Sequence, residues 1–194
     1  MVTKYPGFQN TVHDAQKSFR SLLDAMAQPG HIYRVGAELD PPVGLMASSA
    51  AACLTLFDLD VSVWMQAGWH ESVRSWLLFH TGCRFVTDPS IAHFALIHTW
   101  DTAPVLADFH LGTAEDPERS TTLLIQVDQL EGKTSKLLNG PGLQSTQLVS
   151  PGISMSFWEE WAGNHQIYPL GVDVFLFQRD ALMGLPRSIL AQSV

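Results

Sequence analysis

The chain has 194 residues, of which 46% are hydrophobic and 15% are charged, a balance typical of a globular domain and unlike that of disordered chains. Its formal net charge is −8, from 19 acidic and 11 basic side chains. Because nucleic acid attracts clustered lysines and arginines, and these are scattered along the chain, nucleic acid is excluded as a partner. We expect a single domain over residues 1–194, with a loose N-terminal tail over residues 1–10.

The two cysteines and the first residues indicate where the protein resides. Cys53 and Cys83 are single and far apart in apolar stretches, so neither a disulfide framework nor a CxxC ligand pair is present. Residues 1–9 lack the apolar core of a signal peptide. The longest stretch of low polarity, 43–57, is too short to cross a bilayer. We therefore predict buried, reduced thiols in a cytoplasmic protein that does not enter the membrane.

Residues 12–28 show the clearest helical periodicity. Thr11 is the predicted N-cap, with Asp14 three positions later in a short version of a capping box. Pro29-Gly30 ends the helix, because proline cannot continue it and glycine accepts the left-handed turn. Five apolar side chains at spacings of four, three, one and three lie on one stripe of the predicted helix: Ala15, Phe19, Leu22, Leu23 and Met26.

The rest of the first half alternates strand and helix patterns. Strand patterns have apolar residues at every second position, and helix patterns have them on one stripe. The predicted strands are 31–35, 61–66, 83–87 and 93–100, and the predicted helices are 44–58, 70–80 and a short one at 104–109.

The second half is richer in strands and begins after a polar loop at 112–120. It contains predicted strands at 121–130 and 143–149, a returning segment at 136–139, a helix at 154–163, and a hairpin of 172–177 with 181–185. Interleaved helices and strands followed by hairpins predict an α/β fold, in which a mixed β-sheet is flanked by helices.

Several motifs of catalysis and ligand binding are absent. The sequence has no GxxxxGK[ST], no GxGxxG after a strand, no GxSxG and no HExxH. His93 and His98 are five apart on one predicted strand, so they point to opposite faces and predict no metal site. We therefore expect no catalytic residues, no metal and no self-contained active site in this chain.

None of the four lysines suits a pyridoxal enzyme, which needs a lysine on a protected loop that faces a pocket. Lys4 lies in the tail and Lys17 lies among polar positions of the first helix. Lys133 and Lys136 are predicted to lie in a polar turn and its flank. Schiff-base chemistry is therefore not expected.

Two groups of residues are candidates for contact with a ligand or a partner. His13, Asp14 and Arg20 lie on the first helix, where they form either a polar patch that favours an anion or a capped, solvated helix face. Gly140 and Gly142 flank Pro141 in a tight turn, which either lets the backbone approach a ligand or simply connects two strands.

Arg187 closes the last predicted strand and is the third candidate. Its forked donors could clamp a carboxylate or a phosphate. The same donors could instead form a surface ion pair or contact another subunit, and the sequence favours these two alternatives.

The order of several short motifs resembles one family along nearly the whole chain. The opening run 12–20, continued by Leu22-Leu23, Ala25-Met26 and Pro29-Gly30, is similar to the start of the PhnH family, a component of the carbon–phosphorus lyase system. Further similarities follow in the same order: 79–81, 112–114, 121–126, 140–142, 169–173 and 185–187. The chain departs from the family pattern at 101–108 and in the late helix that contains Trp158 and Trp161.

This resemblance implies a fold like that of the pyridoxal-dependent transferases but without the cofactor, and a homodimer. It also implies a core complex with subunits G, I and J. That complex forms α-D-ribose 1-methylphosphonate 5-triphosphate from ATP and methylphosphonate and releases adenine. ATP binding and iron–sulfur chemistry are expected on other subunits. The chain would then be an accessory subunit or, alternatively, would contribute a phosphonate or nucleotide site at its dimer cleft.

Overall fold

The computed structural model describes residues 5–194, which form four helices and ten strands. The helices are α1 (Thr11–Ala27), α2 (Ala47–Leu56), α3 (Glu71–Thr81) and α4 (Met155–Gln166). The strands are β1 (Ile32–Arg34), β2 (Ser62–Met65), β3 (Arg84–Val86), β4 (Phe94–Ile97), β5 (Thr122–Gln126), β6 (Lys136–Asn139), β7 (Gln147–Val149), β8 (Asp173–Gln178), β9 (Ala181–Leu185) and β10 (Leu190–Ser193).

Seven strands form the main sheet, in the order β1-β9-β8-β5-β4-β2-β3. The five strands from β8 to β3 are parallel, whereas β9 and β1 are antiparallel to their neighbours. Strands β8 and β9 form the predicted hairpin, with Gln178 opposite Ala181. A second, antiparallel sheet has the order β10-β6-β7. The predicted α/β class with a mixed sheet is therefore confirmed.

The central strand β5 is buried on both faces, as parallel strands usually are. Leu123 and Ile125 pack into one hydrophobic core, which also contains Phe157 and Trp161 of α4. Leu124 points to the other face and packs into a second core with side chains from α1, α2 and α3. Helices therefore flank both faces of the sheet, as the sequence predicted.

Helix α1 is capped one residue earlier than predicted, by Asn10 rather than Thr11. The Asn10 side chain accepts a hydrogen bond from the backbone N–H of His13 at 3.1 Å, and Asp14 Oδ2 accepts one from the Asn10 N–H at 2.9 Å. These two bonds form a reciprocal cap in which asparagine takes the place of serine or threonine. The predicted N-cap at Thr11 is wrong, although the capping role of Asp14 is confirmed.

The buried face of α1 is narrower than its predicted apolar stripe. It consists of Ser18, Leu22 and Ala25, whereas Phe19 and Leu23 are each 50% exposed. The helix approaches strand β9 so closely that a Cβ at Gly184 would lie 2.5 Å from the Ala25 carbonyl oxygen. Because small residues meet along this contact, the bulkier Phe19 and Leu23 lie outside it, and only part of the predicted apolar stripe is buried.

Three other predicted elements are shorter in the structure, and one strand was not predicted. The predicted helix at 104–109 is only a 3-10 turn, Leu106–Asp108. The predicted strand 121–130 ends at Gln126, since the chain then leaves the sheet while Val127 and Leu130 still pack into the core. The predicted strand 143–149 is reduced to its last three residues, β7. Strand β10 was not predicted, and within residues 5–194 it pairs with β6 alone.

Part of the predicted N-terminal tail packs against helix α3. The Tyr5 carbonyl oxygen accepts hydrogen bonds from Trp76 Nε1 at 3.1 Å and from His80 Nε2 at 3.2 Å. Phe8 packs against the hydrophobic core to which Trp76 of α3 belongs. Residues 1–4 of the predicted tail lie outside the described residues. Within residues 5–194, no helix has the length and apolar character that a bilayer crossing requires.

Candidate functional site

The strand order of the main sheet reverses next to β2. Strand β3 lies on one side of β2, and the next strand in sequence, β4, lies on the other. In open parallel sheets, ligands bind outside the carboxyl ends of the strands at such a reversal. The segments that follow β4 and β5 meet at this edge, which is therefore the expected position of a ligand site.

Gln66, which follows β2, organises the loop after β4. Its Nε2 donates to the Thr99 carbonyl oxygen at 2.9 Å and to Thr102 Oγ1 at 3.0 Å. Its Oε1 accepts from the backbone N–H groups of His98 at 3.0 Å and Thr99 at 3.2 Å. Because the residue is only 4% exposed, this fully bonded amide holds the loop in place rather than offering free groups to a ligand.

Gln126, at the end of β5, has the same role toward helix α2. Its Oε1 accepts from the backbone N–H of Met46 at 2.7 Å, and its Nε2 donates to the Gly44 carbonyl oxygen at 2.9 Å. Met46 is the N-cap of α2 and its own side chain forms no capping bond. The amide of Gln126 therefore fixes the approach to this helix from across the sheet.

A small cleft lies between these loops and the start of α4, with a volume of about 130 Å³. We call it the carboxyl-edge cleft. Ligand pockets for drug-sized molecules begin at about 300 Å³, so this cleft is too small for a nucleotide. Its polar lining includes His98, Thr99, Asp101, Gln126, Asp128 and Ser154.

The charges in the carboxyl-edge cleft do not favour an anion. Asp101 and Asp128 line it, and of the residues the structure describes there, none is a lysine or an arginine. The His98 ring is already engaged, since its Nε2 donates to the Ala67 carbonyl oxygen at 2.9 Å and the ring lies edge-to-face with Trp69 at a centroid distance of 5.3 Å. The cleft alone therefore does not provide the positive charge that a phosphonate or a triphosphate requires.

Metal and thiol chemistry have no evident basis in residues 5–194. These residues contain no group of three or more histidine, cysteine or acidic side chains that could hold a metal ion. Cys53 and Cys83 are free and buried, as predicted. Burial raises the pKa of both thiols above their ordinary value, so the reactive thiolate is disfavoured.

The candidate residues of α1 lie on its solvent side. Asp14 is engaged in the helix cap, and His13 is exposed. Arg20 is also exposed and lines an open groove of about 440 Å³ between α1 and the segment that follows β1. We call this the α1 groove; it is lined by Gln16, Lys17, Arg20, Ser21, Arg34 and Gly36.

The glycine turn lies at the opposite end of α1. Gly142 has φ +86°, and a Cβ there would overlap the carbonyl oxygen of Ala27, the last residue of the helix. Gly140, with φ +147°, packs against Ile189. His13 and Ala27 are separated by 14 residues of helix, or about 21 Å at the helical rise of 1.5 Å per residue. Within one chain, the turn and the start of α1 therefore do not form a common site.

The donors of Arg187 are occupied by its own chain. Its Nε donates to Asp173 Oδ1 at 3.1 Å, and its terminal nitrogens reach Asp173 Oδ2 at 2.5 Å and the Pro117 carbonyl oxygen at 2.6 Å. The Arg187 side chain is only 12% exposed. Of the alternatives raised from the sequence, the structure shows an ion pair, but a mostly buried one that ties β8 and β9 to the turn at Pro117.

Lys136, predicted to lie in the flank of a polar turn, is instead buried in a strand. It is 6% exposed in strand β6, where its Nζ donates to Ser193 Oγ at 3.1 Å and lies 5.9 Å from the Trp158 ring centroid. The alternation of β6 could have predicted this burial, because side chains two positions apart on a strand share a face and Leu138 is buried. Gln66 and Gln126 were also missed, since nothing in their local sequence distinguishes a bonded buried amide from an exposed one.

Taken together, the sheet and its edge define an α/β protein with a small acidic cleft at the carboxyl ends of its parallel strands. Comparison with known proteins identifies the family. Residues 6–192 match the model of a family described as bacterial phosphonate metabolism protein (PhnH). The chain therefore belongs to the PhnH family, and the resemblance inferred from its ordered motifs is confirmed.

Two known proteins are similar to this chain along most of its length. The chain is 38% identical over 183 residues to the alpha-D-ribose 1-methylphosphonate 5-triphosphate synthase subunit PhnH of Rhizobium meliloti (strain 1021), covering 93% of this chain and 92% of the relative. It is 29% identical over 177 residues to the putative C-P lyase subunit protein HtxG of Stutzerimonas stutzeri, covering 89% of this chain and 83% of that protein. Both names describe subunits rather than free-standing enzymes.

Proposed function

We propose that this chain is an accessory subunit of a bacterial carbon–phosphorus lyase core complex. In that complex, ATP and methylphosphonate are converted to α-D-ribose 1-methylphosphonate 5-triphosphate with release of adenine. The proposal is supported by the family and by the names of relatives that match almost the full chain. The observation that carries the accessory role is the small, acid-lined carboxyl-edge cleft, which by itself suits neither ATP nor a phosphonate.

The partners we propose are a second copy of this chain and subunits G, I and J. Support comes from apolar side chains of α1 that are exposed to solvent, since contiguous exposed apolar surface marks contact sites. Val12 is 73% exposed, and Phe19 and Leu23 are 50% exposed on the same side of the helix. We place the complex in the cytoplasm, where the unpaired Cys53 and Cys83 would stay reduced.

We further propose that the fold is related to that of the pyridoxal-dependent transferases but binds no pyridoxal phosphate. The mixed seven-stranded sheet with helices on both faces supports the first part. For the second part, Lys136 is the only buried lysine among residues 5–194, and it lies in the three-stranded sheet rather than beside the carboxyl-edge cleft. Retention of pyridoxal phosphate by the purified chain on a desalting column would contradict this proposal.

The accessory role is tested by reconstitution. Subunits G, I and J are co-expressed with and without this chain, and adenine release from ATP and methylphosphonate is measured with the associated ATP-binding protein present. We expect release only when this chain is included, and none from this chain alone. Full turnover by the complex that lacks it would show that the accessory role is wrong.

A second candidate function is a ligand-binding subunit whose site forms at the dimer cleft from His13, Arg20, the Gly140–Gly142 turn and Arg187. A second copy would have to bring the start of α1 to the glycine turn, because within one chain His13 and the turn lie at opposite ends of this helix. The exposed Arg20 in the α1 groove favours part of this set, whereas the ion pair with Asp173 already occupies Arg187. Calorimetry with methylphosphonate and ATP on the purified chain, and on an Arg187→Ala variant, tests this candidate.

A further inference from the structure

We propose that the α1 groove is a binding site for a condensed phosphate, such as pyrophosphate or the triphosphate group of a nucleotide. The inference rests on the second candidate function, for which it narrows the ligand to a condensed phosphate, and it shares only Arg20 with the residues named there. Its positive groups are Lys17 and Arg20 of α1 and Arg34 at the end of β1. It concerns the isolated chain, so its failure leaves the subunit role untouched.

Positive charge is concentrated in the α1 groove. The chain has 11 basic side chains and a net charge of −8, yet three of the six residues lining this groove are basic. Lys17 and Arg20 are three positions apart on one helix, where like charges repel each other. A cluster of this kind is stabilised when an anion enters it, because the ligand replaces mutual repulsion by attraction.

The protein does not neutralise the positive charges of α1 by ion pairing. Among residues 5–194, ion pairs within 4.0 Å involve Arg34, Arg119 and Arg187, and neither Lys17 nor Arg20 takes part in one. The two charges of α1 are therefore available to a ligand.

Arg34 is the exception within the groove, since it pairs with Asp180. Its side chain is 78% exposed and that of Asp180 is 52% exposed. A pair this open to water is weak. Arg34 can therefore exchange its carboxylate partner for a phosphate oxygen, which completes the set of three cations.

The groove also has a fixed framework. Ser21 Oγ donates to the Arg34 carbonyl oxygen at 3.0 Å and lies 3.3 Å from that of Lys17, which ties the helix to the end of β1. Gly36 lies against the Lys17 stem, since a Cβ there would be 3.7 Å from Lys17 Cδ. The three basic side chains therefore extend from backbone positions that are held relative to one another.

Size and shape favour a chain of phosphates over a single one. The groove has a volume of about 440 Å³ and is shallow and open to solvent, so it accommodates more than one phosphoryl group. Two guanidinium groups offer forked donors that match phosphate oxygens, and the lysine adds a point charge. A singly charged phosphonate would engage only part of this set.

The test is calorimetric titration of the full chain with tripolyphosphate, pyrophosphate, inorganic phosphate and methylphosphonate in about 0.1 M salt, where distant charges are screened. We expect affinity to fall in the order tripolyphosphate, pyrophosphate, phosphate. We expect Arg20→Gln to weaken tripolyphosphate binding about tenfold, because it removes a forked, charged contact. Arg20→Lys should lose less, because it keeps the charge but not the fork.

The matched control is Arg119→Gln, since Arg119 is also an exposed arginine, 73% exposed and paired with Asp116, and it does not line the groove. Its binding should equal that of the natural chain, and thermal unfolding should confirm that both variants fold. Equal losses in the two variants would show non-specific attraction and overturn the proposal. Binding of polyglutamate without binding of tripolyphosphate would also overturn it, in favour of an acidic segment of a partner protein.

Discussion

The carboxyl-edge cleft and the α1 groove are both polar, but they use their polar groups differently. Beside the cleft, Gln66 and Gln126 are buried, and each uses both ends of its amide on groups of its own chain. In the groove, Lys17 and Arg20 reach solvent without an ion-pair partner among residues 5–194. A bonded buried amide stabilises the fold, whereas an unpaired exposed cation retains its capacity to bind. Unused bonding capacity, rather than polarity alone, therefore distinguishes a site from a structural element.

Among the polar side chains, the largest expected effect comes from breaking the cleft framework. Gln66→Leu would leave the N–H groups of His98 and Thr99 and the Thr99 carbonyl without their partner. We expect the free energy of unfolding in urea to fall by about 3 kcal/mol, since each orphaned buried group costs about 1–3 kcal/mol. Tripolyphosphate binding should not change.

The matched control is Gln16→Leu in the α1 groove, because Gln16 is an exposed glutamine. It should change the free energy of unfolding by less than about 0.5 kcal/mol, as surface substitutions usually do. If the two leucine variants unfold at the same urea concentration, the contrast between cleft and groove is wrong.

The next effect concerns the two candidate arginines. Arg187→Ala removes the partner of Asp173, whose side chain is 23% exposed, and leaves a partly buried carboxylate unpaired. We expect a loss of about 2–3 kcal/mol, below the range for fully buried pairs because some solvent reaches this one. Urea unfolding of Arg187→Ala, Asp173→Ala and the double variant measures the coupling.

Arg20→Ala provides the comparison, because Arg20 is exposed and has no ion-pair partner within residues 5–194. We expect a stability change below about 0.5 kcal/mol together with weaker tripolyphosphate binding. A large loss of stability in Arg20→Ala, or none in Arg187→Ala, would reverse the roles assigned to these residues.

A smaller effect tests whether the glycine turn is structural. Gly142→Ala places a Cβ against the Ala27 carbonyl oxygen at a φ of +86°. We expect a loss of about 2 kcal/mol in the free energy of unfolding, since strained backbone positions cost about 1–3 kcal/mol.

Gly163→Ala is its control in helix α4, where an added Cβ meets nothing within 4 Å. That change should stabilise the protein by about 0.5–1 kcal/mol, because alanine has the higher helix propensity. Thermal unfolding of both variants measures the difference, and equal stabilities would argue against a packing role for Gly142.

A small effect on stability is also expected on the exposed side of α1. Phe19→Ser should lower the free energy of unfolding by less than about 1 kcal/mol, because half of the side chain is already in water. Leu22→Ala on the buried side, with Leu22 3% exposed, should cost about 2–5 kcal/mol. Under the proposed subunit role, Phe19→Ser should instead reduce co-purification with this chain's partners. Unchanged co-purification would remove Phe19 from the proposed interface.

The local elements of the fold were largely predictable. Helices α1 and α3 and the β8–β9 hairpin have strong periodicity and clear end signals, so their existence and type were predicted from local sequence. The wrong or missing predictions have a common cause, which is that they concern contacts between segments distant in sequence. Val127 and Leu130 are apolar because a loop carries them into the core, not because a strand continues. Strand β10 has a weak pattern and depends on its pairing with β6.

The candidate site was less predictable than the fold. Sequence spacing placed His13 and Arg20 on one helix and could not show that the glycine turn packs at the other end of it. It also could not show that Asp173 holds Arg187 across 14 residues of sequence, or that Arg34 joins Lys17 and Arg20 beside one groove. Contacts between distant segments depend on how helices and strands pack, and local sequence patterns do not predict that packing.

The sequence by itself determined the α/β class, most of the helices and strands, and membership of the PhnH family. These properties depend on periodicity, end signals and ordered motifs, which are local features of the sequence. The tertiary structure alone decided which side of α1 is buried, which polar side chains are bonded internally and which cations remain open to a ligand. Those outcomes depend on the distance between segments that are far apart in sequence. Where α1 packs closely on β9, at Ala25 and Gly184, only small side chains fit.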